Sequence, residues 1–178
     1  MSHWLLKTEP AEWSWENQAS NSGVSKWDGV RNAQAQKLMR TMNVDDLCLF
    51  YHTGKAKEVV GIVRVLKTLY PDPSDASEKC GMVDVKEVCA FKVPVTLAQL
   101  KQEESIKDFM LFRQPRLSVV PVSQDVWEKI CELGGVDISD LSEVSTKATR
   151  KSAAEEVAAK GSLDKSSKKH KRRKRNAS

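Results

Sequence analysis

Leu47-Cys48-Leu49-Phe50-Tyr51-His52-Thr53-Gly54 is followed, four residues on, by Val59-Val60-Gly61-Ile62-Val63-Arg64-Val65-Leu66. Residues 47–52 and 59–69, rich in β-branched and aromatic residues and separated by a short polar segment containing Gly, are read as strands. A third run of the same kind covers residues 82–93, and Tyr70-Pro71-Asp72-Pro73-Ser74 breaks the second from the third. Upstream, His3-Trp4-Leu5-Leu6-Lys7 reads as a short strand that Glu9-Pro10 ends, and downstream residues 117–122 read as another. Helical signals lie between and around these. Residues 11–18 suggest one or two turns, and residues 32–42 carry Ala33, Leu38 and Met42 toward one side. Thr96-Leu97-Ala98-Gln99 has the form of a capping box. Ser123 stands where it can cap a helix over 124–133, which Gly134-Gly135 then stops. Strands interrupted by short helices give an α+β domain around a small curved sheet.

The 178 residues are 40% hydrophobic and 30% charged. That is enough for one domain with a core and too little for two ordinary ones. The longest apolar runs fall well short of the roughly 20 residues of a membrane helix, and no apolar stretch follows a basic start. An intracellular chain without a membrane role is expected. Cys48, Cys80, Cys89 and Cys131 form no CxxC pair and have no His at zinc-ligand spacing, so reduced structural thiols are expected and no metal.

The net charge of +5 divides unevenly. Residues 145–178 hold 12 Lys/Arg against 3 Asp/Glu, whereas residues 1–144 hold 17 against 21. An acidic body therefore carries a basic tail. The tail lacks aromatic residues, is rich in Ala, Ser and Lys, and is expected to be disordered. Its dense run of Lys168, Lys169, Lys171, Arg172, Arg173, Lys174 and Arg175 is of the nuclear-import or phosphate-binding type, with import favoured.

Candidate binding groups concentrate in Lys26-Trp27-Asp28-Gly29-Val30-Arg31-Asn32. An indole face can stack on a flat ring, Asp and Asn can read its edge, and Arg31 can grip a phosphate or stack. Asn32 equally suits a plain N-cap. Trp127 has core spacing, and Trp13 and Trp15 are read as packing residues. Trp4, beside His3 and near Lys7, stands apart with Trp27. Tyr51-His52-Thr53 ends a strand, and Arg113-Gln114-Pro115-Arg116-Leu117-Ser118 supplies guanidinium groups and a hydroxyl. No nucleophile elbow, phosphate-cradling Gly loop or HExxH is present.

Together these segments resemble the EVE domain, most closely the plant-like form of the thymocyte nuclear protein family. The residues that carry the resemblance are Trp4-Leu5-Leu6-Lys7-Thr8-Glu9-Pro10, Trp27-Asp28-Gly29-Val30-Arg31-Asn32 with Gln34-Ala35, and Phe50-Tyr51-His52. Weaker matches follow at Tyr70-Pro71-Asp72, Val83-Asp84-Val85, and Arg116-Leu117-Ser118-Val119 with Pro121. The resemblance implies a PUA-like small mixed β-barrel flanked by short helices over residues 1–136, with 137–178 as the disordered basic tail. It implies a non-enzymatic reader of modified nucleobases, foremost 5-methylcytosine or 5-hydroxymethylcytosine in DNA, held in an aromatic-walled pocket. Carried onto this chain, Trp4 and Trp27 are stacking walls. Lys7, Asp28, Gly29, Val30 and Asn32 serve the base, and Tyr51, His52 and Thr53 close another side. Arg31, Arg116 and Ser118 meet phosphate or sugar.

Two departures from the family pattern stand out. Thr53 replaces a frequent Ser, and Cys80-Gly81-Met82 stands where animal relatives often place a Trp before Val-Asp-Val. The expected partners are nucleic acid, DNA before RNA, and an import receptor on the tail. A monomer without cofactor is expected, in the nucleus with the cytoplasm second. The alternatives are an RNA reader and, well behind it, a base-processing enzyme using Asp28 and His52 as acid and base.

Overall fold

In the computed structural model, which describes residues 1–77, 79–139 and 141, the apolar run before Thr53-Gly54 forms β3 (Leu47–His52). All six of its residues are buried. A strand covered on both faces needs such a continuous apolar run. It lies between β1 (His3–Thr8), paired in parallel, and β4 (Glu58–Pro71), paired antiparallel. β2 (Val24–Trp27), β5 (Gly81–Thr96) and β6 (Val119–Val122) complete a six-stranded mixed sheet in the order β2-β5-β4-β3-β1-β6.

Register shifts interrupt the β3–β4 and β4–β5 ladders, between Phe50 and Tyr51 and at several points from Val59 to Tyr70. Extra residues of this kind bend a strand and increase its twist. The consequence is visible at the ends of the ladder. Trp27 on β2 and Ser118 just before β6 lie on the wall of one cleft, so the sheet curls round upon itself. The expected α+β architecture, a curled mixed sheet with short helices, is the one observed.

The helices are α1 (Trp15–Ser20), α2 (Ala33–Met39), α3 (Leu97–Gln102), α4 (Met110–Arg113) and α5 (Gln124–Leu133). Thr96 and Gln99 form the reciprocal capping box read from the sequence. Asn32 is the N-cap of α2, its Oδ1 accepting from the Ala35 N–H at 2.9 Å. Ser123 precedes α5 without a side-chain capping bond. β2 and α4 were not anticipated, and α2 ends three residues before the expected Met42. These are short elements whose existence rests on what they pack against.

Trp127 of α5 is 1% exposed, with the His3 ring stacked on it at 4.3 Å. A second cluster gathers on Phe50. Trp15, Trp27 and His52 meet it edge-on at 5.2, 5.5 and 5.7 Å. Gly61 on β4 makes this possible, since a Cβ there would sit 2.6 Å from Trp15 Cζ3. None of the four cysteines is in a disulfide; burial pushes the thiols of Cys48 and Cys131 up, the latter to about 12.

The chain divides into Met1–Ile138 and a unit beginning at Ser139. Residues 142–178 lie outside the described residues, and with them the expected disorder and the basic run 168–175. Among the described residues, no helix is long and apolar enough to cross a membrane.

Candidate functional site

The curl of the sheet leaves an open cleft of about 950 Å³ between the end of β1, the loop after β2 and the segment leading into β6. That size lies within the range of small-molecule sites. Of the residues singled out in the sequence, Lys7, Trp27, Asp28, Gly29, Val30, Arg31, Thr53, Arg116 and Ser118 line it. Trp4, Tyr51, His52 and Asn32 do not.

The four that lie elsewhere have clear structural roles. Trp4 is buried in β1 and donates its indole N–H to Asp46 at 3.0 Å. Tyr51 is buried beside its β1 partner Lys7 in the ladder, and burial pushes its phenol up to about 12. His52 accepts the Trp15 backbone N–H at Nε2, 3.1 Å away. Burial lowers its pKa, against the opposing carboxylates of Glu16, Glu58 and Glu9, so the neutral ring that this bond requires is the favoured form. Asn32 is occupied by its cap. It borders a neighbouring shallow groove of about 310 Å³ that also includes Gln34, Gln114 and Arg116.

The loop after β2 is held from beneath. Gly29 takes a left-handed φ of +70°, where glycine is favoured, and a Cβ at this position would meet nothing within 4 Å. Its N–H donates to Asp72 at 3.1 Å, and Arg31 Nη1 donates to the same oxygen at 2.8 Å. Ser74 caps the other Asp72 oxygen through N–H and hydroxyl at 2.8 and 2.6 Å. Burial alone would push this carboxyl up. The bonds from Ser74, Arg31 and Gly29 outweigh it and hold Asp72 well below the usual carboxylate range.

Gln36, 3% exposed, finishes the anchoring. Its Nε2 donates to the carbonyls of Val30 and Gly81, both at 2.8 Å, and its Oε1 accepts the Gly81 N–H at 2.9 Å. Neither Asp72 nor Gln36 drew attention as a functional residue. Asp72 lies within a matched motif and Gln36 one residue past another, and that proximity was the available signal.

On the opposite wall Thr53 donates to Glu9 Oε2 at 2.8 Å. Gly54, at φ +69°, leaves room for that carboxylate, since a Cβ would lie 2.7 Å from Oε2. Trp13, expected as a packing residue, lines the cleft, with its indole N–H on Gln18 at 3.0 Å. Trp15 is the one of the pair that packs. Lys7 donates to the Pro115 carbonyl at 2.9 Å, and the Ser118 carbonyl accepts the Lys7 N–H at 2.9 Å. Asp84 accepts from the Tyr70 hydroxyl at 2.5 Å, and Cys80 lies off the cleft.

The wall is electrostatically mixed. Lys7, Lys26, Arg31 and Arg116 face Glu9, Glu12, Asp28 and Asp84. Asp28 is exposed and makes no hydrogen bond among the described residues. An indole, a partnerless carboxylate and nearby cations suit a flat, amine-bearing ring attached to an anion. Among the described residues no group of His, Cys, Asp and Glu converges to hold a metal.

The profile of the EVE domain family matches residues 2–133. Human thymocyte nuclear protein 1 is 31% identical over 165 residues, which cover 74% of this chain and 73% of that protein. A solved structure of a Rhodopseudomonas palustris protein is 42% identical with a TM-score of 0.71, covering 76% of this chain and 94% of the other. The human THYN1 protein, solved in complex with DNA containing 5-methylcytosine, is 29% identical with a TM-score of 0.71, covering 77% and 99%. With its profile matched over nearly all of Met1–Ile138 and a fold that matches a 42% identical solved structure at a TM-score of 0.71, this chain belongs to the EVE domain family.

Proposed function

We propose that the chain is a non-enzymatic reader of modified cytosine, 5-methylcytosine or 5-hydroxymethylcytosine, in DNA. The observation that carries the reading is that Trp27 and Asp28, consecutive at the end of β2, both line the cleft. Trp27, 6% exposed and edge-on to Phe50, brings an indole to the wall, and Asp28 brings an acceptor that makes no hydrogen bond among the described residues. Cytosine is the pyrimidine whose edge carries an exocyclic amine donor, and a carboxylate is its natural acceptor. The human relative's complex with 5-methylcytosine DNA supports the same ligand.

Extrusion of a base costs a few kcal/mol. Stacking contributes about 1–3 kcal/mol per base, and burying one added methyl roughly 0.8 kcal/mol. Discrimination by the methyl alone is therefore modest, near fourfold. Trp13 supplies further aromatic wall. Arg116, Lys26 and the Ser118 hydroxyl have no hydrogen-bond or ion-pair partner among the described residues and suit phosphate and sugar, while Arg31 spends two of its N–H groups on Asp72 and Ser74.

Acid–base catalysis by Asp28 and His52 finds no support. Asp28 lines the cleft, whereas His52 lies off it with its Nε2 engaged. The run 168–175 and the word nuclear in the relatives' name support action in the nucleus through an import receptor.

The test compares the full chain with Trp27→Ala and Asp28→Asn on oligonucleotides carrying cytosine, 5-methylcytosine or 5-hydroxymethylcytosine, in DNA and RNA, at two salt concentrations. A modification preference in DNA that both substitutions remove is expected. A preference confined to RNA moves the reading to RNA. Binding indifferent to modification, lost when the seven Lys/Arg of the run 168–175 are replaced by Gln, reduces the protein to an electrostatic binder.

A further inference from the structure

Lys7 stands apart from the other cations of the cleft. It is the seventh residue of the chain and lies near the end of β1, half-buried. Its Nζ donates to the backbone carbonyls of Pro115 at 2.9 Å and Gln114 at 3.5 Å. Among the described residues no carboxylate lies within ion-pair distance of it, whereas Arg31 has Asp72; Lys26 and Arg116 share that lack of a partner but are exposed, so Lys7 is the half-buried cation of the four that line the cleft. Carbonyls orient an ammonium but supply no countercharge, so burial falls on the charged form.

We propose that Lys7 is a covalent capture site, its amine forming a reversible imine with an aldehyde on a nucleic acid seated in the cleft. The aldehyde is the formyl group at C5 of a modified cytosine or the open-chain C1′ of a sugar that has lost its base. This deepens the reader assignment and rests on it for the seating of the nucleic acid.

Desolvation lowers the Lys7 pKa to about 8. At pH 7.5 about a quarter of such an amine is neutral, against about one part in 800 for a lysine at its ordinary value near 10.4, roughly a 200-fold gain in nucleophile. The other charged groups of the cleft come from every wall: Glu9 and Glu12 after β1, Lys26, Asp28 and Arg31 around the end of β2, Asp84 on β5, and Arg116 before β6.

The step balances without a redox partner. The nitrogen lone pair attacks the carbonyl carbon, the C=O π pair moves to oxygen, and a carbinolamine forms. Two N–H protons leave with that oxygen as water while the C=N bond closes. A stacked ring and an edge contact hold the ligand still. Orientation of this kind converts an encounter into an intramolecular reaction.

The experiment incubates the full chain at pH 7.5 with duplexes bearing 5-formylcytosine, an abasic site, 5-methylcytosine or cytosine. Sodium cyanoborohydride supplies the hydride that fixes any imine as a secondary amine. 4-Nitrobenzaldehyde serves as an aldehyde probe independent of nucleic acid. Adducts are resolved on denaturing gels and located by peptide mass mapping of the wild-type protein, which keeps the result independent of how Lys7→Arg folds.

The expected result is labelling of Lys7 at least tenfold above any lysine of the tail, with the gel-shifted adduct lost in Lys7→Arg. Labelling by the 5-formylcytosine duplex assigns the C5 aldehyde, and labelling by the abasic duplex alone assigns the sugar. Adducts confined to tail lysines, or unchanged in Lys7→Arg, overturn the capture. If 5-methylcytosine preference persists while all three aldehydes leave Lys7 unlabelled, capture falls and the reader assignment stands. If modified and unmodified duplexes bind alike while 4-nitrobenzaldehyde and the abasic duplex label Lys7, the reader assignment falls and capture stands.

Discussion

Gln36→Leu is the substitution that most directly tests how the binding loop is built. Leucine nearly matches the glutamine in volume, so the change removes hydrogen bonds with little change in packing. Three backbone groups lose a partner: the carbonyls of Val30 and Gly81, and the Gly81 N–H. A buried group left unsatisfied costs about 1–3 kcal/mol. Carbonyls, with two lone pairs, tolerate the loss better than an N–H does. Weighting the N–H near the upper figure and the two carbonyls near the lower gives about 5 kcal/mol for the set. Stability of roughly 0.05–0.15 kcal/mol per residue puts a body of this length at about 7–20 kcal/mol, so the variant folds. With a urea slope near 2 kcal/mol per molar, the unfolding midpoint should fall by about 2.5 M at unchanged slope. Tryptophan fluorescence in urea measures that shift, and amide exchange at Gly81 locates it. A midpoint shift below about 0.5 M with Gly81 exchange unchanged would refute the anchoring role.

The remaining predictions concern other parts of the fold. Gly61→Ala drives a Cβ into the Trp15 ring, a rigid neighbour, and should cost about 1–3 kcal/mol, seen as a lower Tm with loss of the near-ultraviolet tryptophan signal. His52 has a folded pKa below its ordinary value near 6.5, so its contribution is complete above that value and declines as pH falls below it. Between pH 7.5 and 5.5 the wild-type Tm should drop, and His52→Gln should drop less; equal slopes would remove the neutral-ring assignment. Asp28→Asn leaves the fold untouched, because the side chain is exposed, but weakens the preference for cytosine over thymine derivatives in competition binding. An unchanged preference would move edge reading to another residue.

Much of the sheet was legible because its strands announce themselves locally. The strand Leu47–His52 was read with its observed bounds, since six consecutive buried residues leave no polar position to confuse the pattern. The helix Gln124–Leu133 was equally plain, bracketed by Ser123 and Gly134. β2 escaped because its four residues alternate between buried and exposed only through pairing with β5. Trp4 and Trp27 looked alike in sequence, each an aromatic residue beside polar neighbours. Pairing with β3 and β6 encloses Trp4, and the curl of the sheet turns Trp27 toward the cleft.

The sequence by itself determined the α+β class, the separation of an acidic body from a basic tail, and a segment, residues 26–31, that lines the cleft. These depend on residue type, local periodicity and charge, all of which are read along the chain. Tertiary structure decided which of those residues meet. It placed Trp13 on the wall and His52 away from it, tied Arg31 to Asp72 41 residues on, and set the Lys7 ammonium on the Pro115 carbonyl. Such pairings come from strand order and bulges, which bring distant positions to one surface. No window along the chain contains both partners.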